Sequence, residues 1–174
     1  MEFIMKINFF APINGLGVGI HSFGLMRALH ARGHDLCLIP PFGDVKFRDE
    51  YVNQWLASRE RFSPREPSIM IFDIPFLTQF SGSPRIGFAV FETSQFTSVQ
   101  MAALRSCDYL LTSSRWGQQI LAQAELKSTV IPEGYDPEIF LILESKNSIF
   151  TFGHIGKFEE RKGTLQAIRC FAQA

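Results

Sequence analysis

Short, almost unbroken apolar runs recur along the chain and alternate with segments of helical spacing. No other feature constrains the fold as tightly. The runs are Lys6–Ala11, Leu36–Ile39, Ile69–Asp73, Arg85–Phe91, Tyr109–Thr112, Thr129–Ile131 and Ile149–Phe152. A strand with one wet face alternates apolar and polar residues, whereas a strand covered on both faces is apolar throughout. Between the runs, Phe23, Met26 and Leu29 share one helical stripe, and Tyr51, Trp55 and Leu56 another. Val99, Ala102, Ala103 and Leu104 suggest a third helix, and Trp116, Ile120 and Leu121 a fourth, with Ser113 or Ser114 placed to cap it. Alternating βα units of about 30 residues predict an α/β fold. The expected architecture is a doubly wound, mainly parallel Rossmann-like sheet with helices on both faces.

Composition removes several function classes. The 174 residues are 46% hydrophobic and 20% charged, enough for a real core. Lysine plus arginine (17) equals aspartate plus glutamate (17), so no basic surplus is available to neutralise a nucleic-acid backbone. No stretch approaches the ~18 apolar residues of a membrane span, which leaves peripheral membrane contact open. Met1–Ala11 is interrupted by Lys6 and Asn8 and lacks both a basic start and a small-residue cleavage site, so it reads as a first strand rather than a signal peptide. Cys37, Cys107 and Cys170 are far apart, odd in number and set in apolar elements. They fit neither a disulfide framework nor a zinc site, and the expected setting is the reducing cytoplasm.

The polar segment Ser58–Ser68, with two prolines, reads as a loop. A second polar stretch, Glu144–Ser148, reads as an interdomain linker. Residues 1–143 are expected to form one Rossmann-like domain. Residues 144–174 are expected to be the linker and the first βα unit of a second domain that the chain does not contain, because a lone βα unit cannot bury its own apolar faces.

Candidate chemistry gathers at strand ends. Asn14-Gly15-Leu16-Gly17-Val18-Gly19 follows the first strand and precedes a helix expected to begin near Ile20. Glycines let a backbone approach a bound group, and a helix start offers free N–H groups to an anion. The same glycines could simply form a tight turn. The spacing is GxGxG rather than GxGxxG, and Ile39-Pro40-Pro41 stands where a dinucleotide site wants an acid, which argues against nicotinamide or flavin. His21, in the first turn of that helix, faces the same crevice; His30 and His34 sit around a helix end at Gly33, where histidine is favourable without any further role. Asp73 and Glu92 each close a strand at the edge that lines the ligand crevice in open α/β sheets, although each could instead cap its loop. No histidine pair has metal-ligand spacing, and no serine or cysteine has a nucleophile's setting. Gly153–Gly163 gathers Lys157, Arg161 and Lys162 around a glycine loop. That group suits a diphosphate, or it is a solvated cluster balanced by Glu159 and Glu160.

Four separated motifs occur in order: Gly15–Gly19 with His21-Ser22 and Gly33-His34; Phe91-Glu92-Thr93 followed by Cys107–Ser114; Ile131–Asp136 with Phe140; and Gly156-Lys157 through Lys162-Gly163. In that order the chain resembles the N-terminal half of GT-B retaining glycosyltransferases, the group that includes glycogen synthase-like and mannosyltransferase enzymes. The resemblance spans almost the whole chain. It implies two facing Rossmann-like domains, with the acceptor on the N-terminal half and a nucleotide-sugar on the C-terminal half. It places Gly15, Gly17 and Gly19 at the donor phosphate or sugar, and Lys157 and Lys162 at the leaving diphosphate. His21 and Asp73 are expected on the acceptor side, and Glu92, near the reacting sugar, is the candidate catalytic residue. It also implies that no metal and no cofactor is required.

Three departures matter. Lys157 stands where arginine is usual, Glu92 where many relatives carry histidine, and the family's paired glutamates and nucleotide pocket are not among these residues. The expected function is therefore glycosyl transfer from a nucleotide-sugar to an unknown acceptor, with little activity in the isolated chain, which would need a C-terminal domain or a partner chain. A non-catalytic Rossmann-like binding or assembly module is the alternative, and a dinucleotide oxidoreductase a distant third.

Overall fold

The computed structural model describes residues 4–137, 140, 149 and 151–173. The chain divides into two compact units, Met1–Pro137 and Glu138–Ala174, taken separately below.

The first unit is built on six strands, β1 (Lys6–Phe10), β2 (Asp35–Leu38), β3 (Ser68–Asp73), β4 (Arg85–Val90), β5 (Tyr109–Thr112) and β6 (Thr129–Val130). They form one sheet in the order β2-β1-β3-β4-β5-β6, and every neighbouring pair is parallel. Helices α1 (Gly17–Ala31), α2 (Glu50–Ala57), α3 (Ser98–Arg105) and α4 (Arg115–Gln123) lie in the connections, as the spacing predicts.

Side chains alternate across a strand, so neighbours in sequence enter different cores. Ile69 and Ile71 of β3, Phe88 of β4 and Ile7 and Phe9 of β1 pack with Met26 of α1 and Val52 and Trp55 of α2. Met70 of β3 and Ala89 of β4 instead join Ile74, Leu77, Ala103, Leu104 and Leu121 on the opposite face. Both faces are covered, which is why the strands carry no polar alternation. Each fully buried Phe9 or Phe88 contributes about 1.5–3 kcal/mol of transfer free energy.

The helix ends follow local chemistry. Asp49, Thr97 and Ser114 cap α2, α3 and α4 through side-chain oxygens, and Thr97 with Gln100 closes a reciprocal capping box. Gly33, at φ +86°, ends the α1 turn in the left-handed region. Two expectations shift. α1 begins at Gly17, not near Ile20, so Gly17 and Gly19 are helical residues rather than loop residues. The Ser58–Ser68 segment contains a 3₁₀ turn at Ser58–Arg61 and donates Ser68 to β3.

In the second unit, a 3₁₀ turn at Glu160–Lys162 leads through Gly163 (φ +65°) into α5 (Thr164–Gln173). The strand expected over Ile149–Phe152 is not formed: Ile149, Thr151 and Phe152 are outside any strand, and Phe150 lies outside the described residues. Among the described residues of this unit no strand offers a ladder partner for their backbone groups. The linker expected at Glu144–Ser148, with the boundary before it, also lies outside the described residues. Leu165, Ile168 and Phe171, the apolar stripe of α5, are exposed.

Candidate functional site

In an all-parallel sheet the C-terminal strand ends share one edge. The connection leaving β1 returns over one face through α1, whereas the connection leaving β3 crosses the other through the 3₁₀ turn Ile74–Thr78. The two loops therefore part between β1 and β3, and such a topological switch point opens a crevice.

Asn14 shapes the wall of that crevice. It is buried, and its Oδ1 accepts the Leu16 amide at 2.9 Å. Its Nδ2 donates to Asp44 Oδ2 at 2.5 Å, joining the loop after β1 to the loop after β2. A parallel bridge between Ile13 and Val45 reinforces the joint. The glycines then divide by role. A Cβ on Gly19 would lie within about 2.5 Å of the Asn14 backbone N and O, so this glycine is fixed by packing. Gly15 and Gly17 have nothing within 4 Å of the same position and face open space. The N-cap residue Leu16 makes no side-chain cap bond, and the first turn of α1 holds no acid. Its leading N–H groups lack intrahelical partners by geometry and carry the positive end of the helix dipole.

His21 follows one turn later. Its ring packs against Phe88 of β4 at 4.8 Å between centroids, and its Nε2 is buried without a hydrogen-bond partner. Burial pushes the imidazole pKa below its ordinary value, and the nearby Glu133 carboxylate partly offsets that. The ring is accordingly neutral at pH 7 and can either donate or accept one hydrogen bond.

Asp73 ends β3 on the crevice side, exposed, with no side-chain cap bond to the turn that follows. Glu92 is exposed two residues beyond β4; beside it the Thr93 hydroxyl accepts the Gln95 amide at 3.2 Å, which explains that polar cluster as a turn. Gly15, Gly17, Asp73 and Glu92 thus share the C-terminal edge of adjacent strands β1, β3 and β4. In the second unit, Lys157 and Arg161 both lie near Glu159, at 3.9 and 3.5 Å, and Lys162 is exposed. His30 Nδ1 accepts from Trp55 Nε1 at 3.3 Å and His34 Nδ1 from the Met5 amide at 3.2 Å, so both histidines serve the fold.

Sequence reasoning missed three participants. The Asn14–Asp44 link and the approach of Glu133 to His21 join residues remote in sequence, and no local pattern signals either. Phe42 was also missed: it is 75% exposed and sits at φ +54° beside the same loops. The first acid after β2 is Asp44, and Asn14 Nδ2 donates to one of its oxygens.

Among the described residues no group of His, Cys, Asp and Glu is placed to hold a metal ion, and no helix is long and apolar enough to cross a membrane. Comparison with known proteins returned no match: no family model fits the chain, and no curated protein or solved structure is significantly similar to it.

Proposed function

We propose that the chain is the acceptor-side half of a metal-independent GT-B glycosyltransferase, moving a sugar from a nucleotide-sugar donor to an acceptor hydroxyl. One observation carries the reading. The open, uncapped start of α1, with empty space over Gly15 and Gly17, stands at the switch-point crevice of an all-parallel sheet. Such an end stabilises a phosphate or an electron-rich sugar oxygen through backbone N–H groups. The ordered motifs that resemble the family add the second unit's cations. There Lys157 and Lys162 would neutralise the charge that builds on the departing diphosphate. His21, Asp73 and Glu92 would supply hydrogen bonds on the acceptor and sugar side.

The second reading is a binding or assembly module without catalysis. The sharing of Glu159 between Lys157 and Arg161 favours it, because cations already paired are less free for a diphosphate. Phosphorus NMR separates the two. Uridine, guanosine and adenosine diphosphate-sugars are each titrated with the protein, and the transferase reading expects one to show broadened phosphorus lines that sharpen again with Gly17→Val. Absence of broadening for all three contradicts it. A stable monomer by size-exclusion mass that binds a nucleoside diphosphate tightly, with no sugar moved, supports the self-contained module.

A further inference from the structure

The loop after β2 holds a bulky residue in a conformation that glycine favours. Phe42 has φ +54° and ψ 20°, where a Cβ crowds the neighbouring carbonyl. The ring is 75% exposed, so burial does not offset this strain. The surroundings enforce it instead. Pro40 and Pro41 restrict the approach, and the Asn14–Asp44 hydrogen bond with the Ile13–Val45 bridge pins the far side. Behind the ring stand Phe76, edge-on at 5.3 Å, and Phe72, at 6.3 Å, themselves T-shaped at 4.9 Å. Because β1 lies between β2 and β3, a ring carried by the β2 loop and touching the last residues of β3 spans the end of β1. Phe42 thus lies over the end of β1, against the aromatic side chains at the end of β3 and in the turn after it.

An aromatic ring that is strained, exposed and braced from behind is arranged to be used from the front. We propose that Phe42 is the stacking platform for a neutral hexopyranose ring, the acceptor sugar of the reaction above. The C–H face of a pyranose matches an aromatic face, while its hydroxyls need acceptors at the edge. Asp73 follows Phe72 directly and is exposed, whereas Asp44 is already held by Asn14 Nδ2 and lies 3.9 Å from Lys46. An exposed carboxylate next to the residue that backs the ring suits hydroxyl donors and disfavours an anionic bilayer, which selects an uncharged sugar over a lipid surface. Only the word "acceptor" rests on the transferase reading; sugar binding is measured independently of it.

The test is saturation-transfer NMR on the 174-residue protein with methyl α-D-glucopyranoside and methyl α-D-mannopyranoside as probes. At least one should receive transfer. Phe42→Gly should weaken binding about tenfold or more, with a melting temperature no lower than the parent's because glycine relieves the strain, and Phe42→Trp should retain binding. Four results each overturn the proposal: no transfer to either probe; transfer unchanged in Phe42→Gly; a lower melting temperature for Phe42→Gly, which would make the ring a structural plug; or Phe42-dependent pelleting with phosphatidylcholine–phosphatidylglycerol vesicles. Pyranoside transfer without any nucleotide-sugar broadening would defeat the transferase reading and leave the platform standing. The reverse pattern would remove the platform alone.

Discussion

Gly17 and Gly19 stand two residues apart in one helical turn and answer to different forces. Alanine at Gly19 drives a methyl into the Asn14 backbone, which cannot retreat while Asn14 holds Leu16 and Asp44. Chemical denaturation should show Gly19→Ala losing about 1–3 kcal/mol or more. Alanine at Gly17 meets nothing, and removing a glycine from a helix restricts the unfolded chain; Gly17→Ala should gain about 0.4–1 kcal/mol. A natural glycine whose replacement stabilises the fold is one retained for something other than stability. His21 gives a pH signature with a definite sign. Its folded pKa lies below the ordinary 6.5, chiefly through burial. Between the two values the unfolded chain binds a proton that the folded imidazole does not. Stability is therefore lost as pH falls from about 6.5 toward the folded pKa, and His21→Gln should flatten that part of the stability curve. A parallel loss in the variant would contradict the assignment of the acid step to this ring.

At the scale of elements, caps and pleats made most of the first unit readable. Ser114 accepts the Gly117 amide at 3.0 Å, the cap expected from a serine placed before Trp116, Ile120 and Leu121. Ser114→Ala should cost about 1 kcal/mol in thermal or denaturant unfolding, and a change near zero would mean the α4 start is held by other contacts. Six of the strands were legible because coverage on both faces keeps them largely apolar, the buried Asn8 of β1 being an exception, and their limits moved by about one residue where backbone pairing stops. The start of α1 was not legible. Gly17 and Gly19 are poor helix formers, so apolar periodicity begins only at Ile20, while the Asn14 side chain supplies the turn that lets the helix start earlier. The crevice edge could be predicted from alternation alone, since parallel strands bring Gly15, Asp73 and Glu92 to one side. The pairing of the β1 and β2 loops, and the strain it imposes on Phe42, arises from contacts across about 30 residues and leaves no trace in local spacing. A strand at Ile149–Phe152 was expected from an apolar run, but a run becomes a strand only where a neighbouring strand accepts its hydrogen bonds.

At the scale of the molecule, the three thiols report on the two units. Cys37 is buried and Cys107 partly so, and burial pushes both thiol pKa values up; Cys170, on α5, is exposed. Under native conditions a thiol reagent such as iodoacetamide should label Cys170 first, with Cys37 and Cys107 reacting only on unfolding of the first unit. Early labelling of Cys37 would show that the sheet opens at β2. On the proposed function, the switch-point crevice of this parallel sheet receives a phosphate-bearing ligand at the start of α1. Amide chemical shifts detect even weak association and report where on the chain it occurs. Titrating the protein with a nucleoside diphosphate should move the Gly15, Gly17 and Gly19 resonances together and saturably. Shifts confined to residues away from this edge, with those three amides unmoved at saturating ligand, would contradict it.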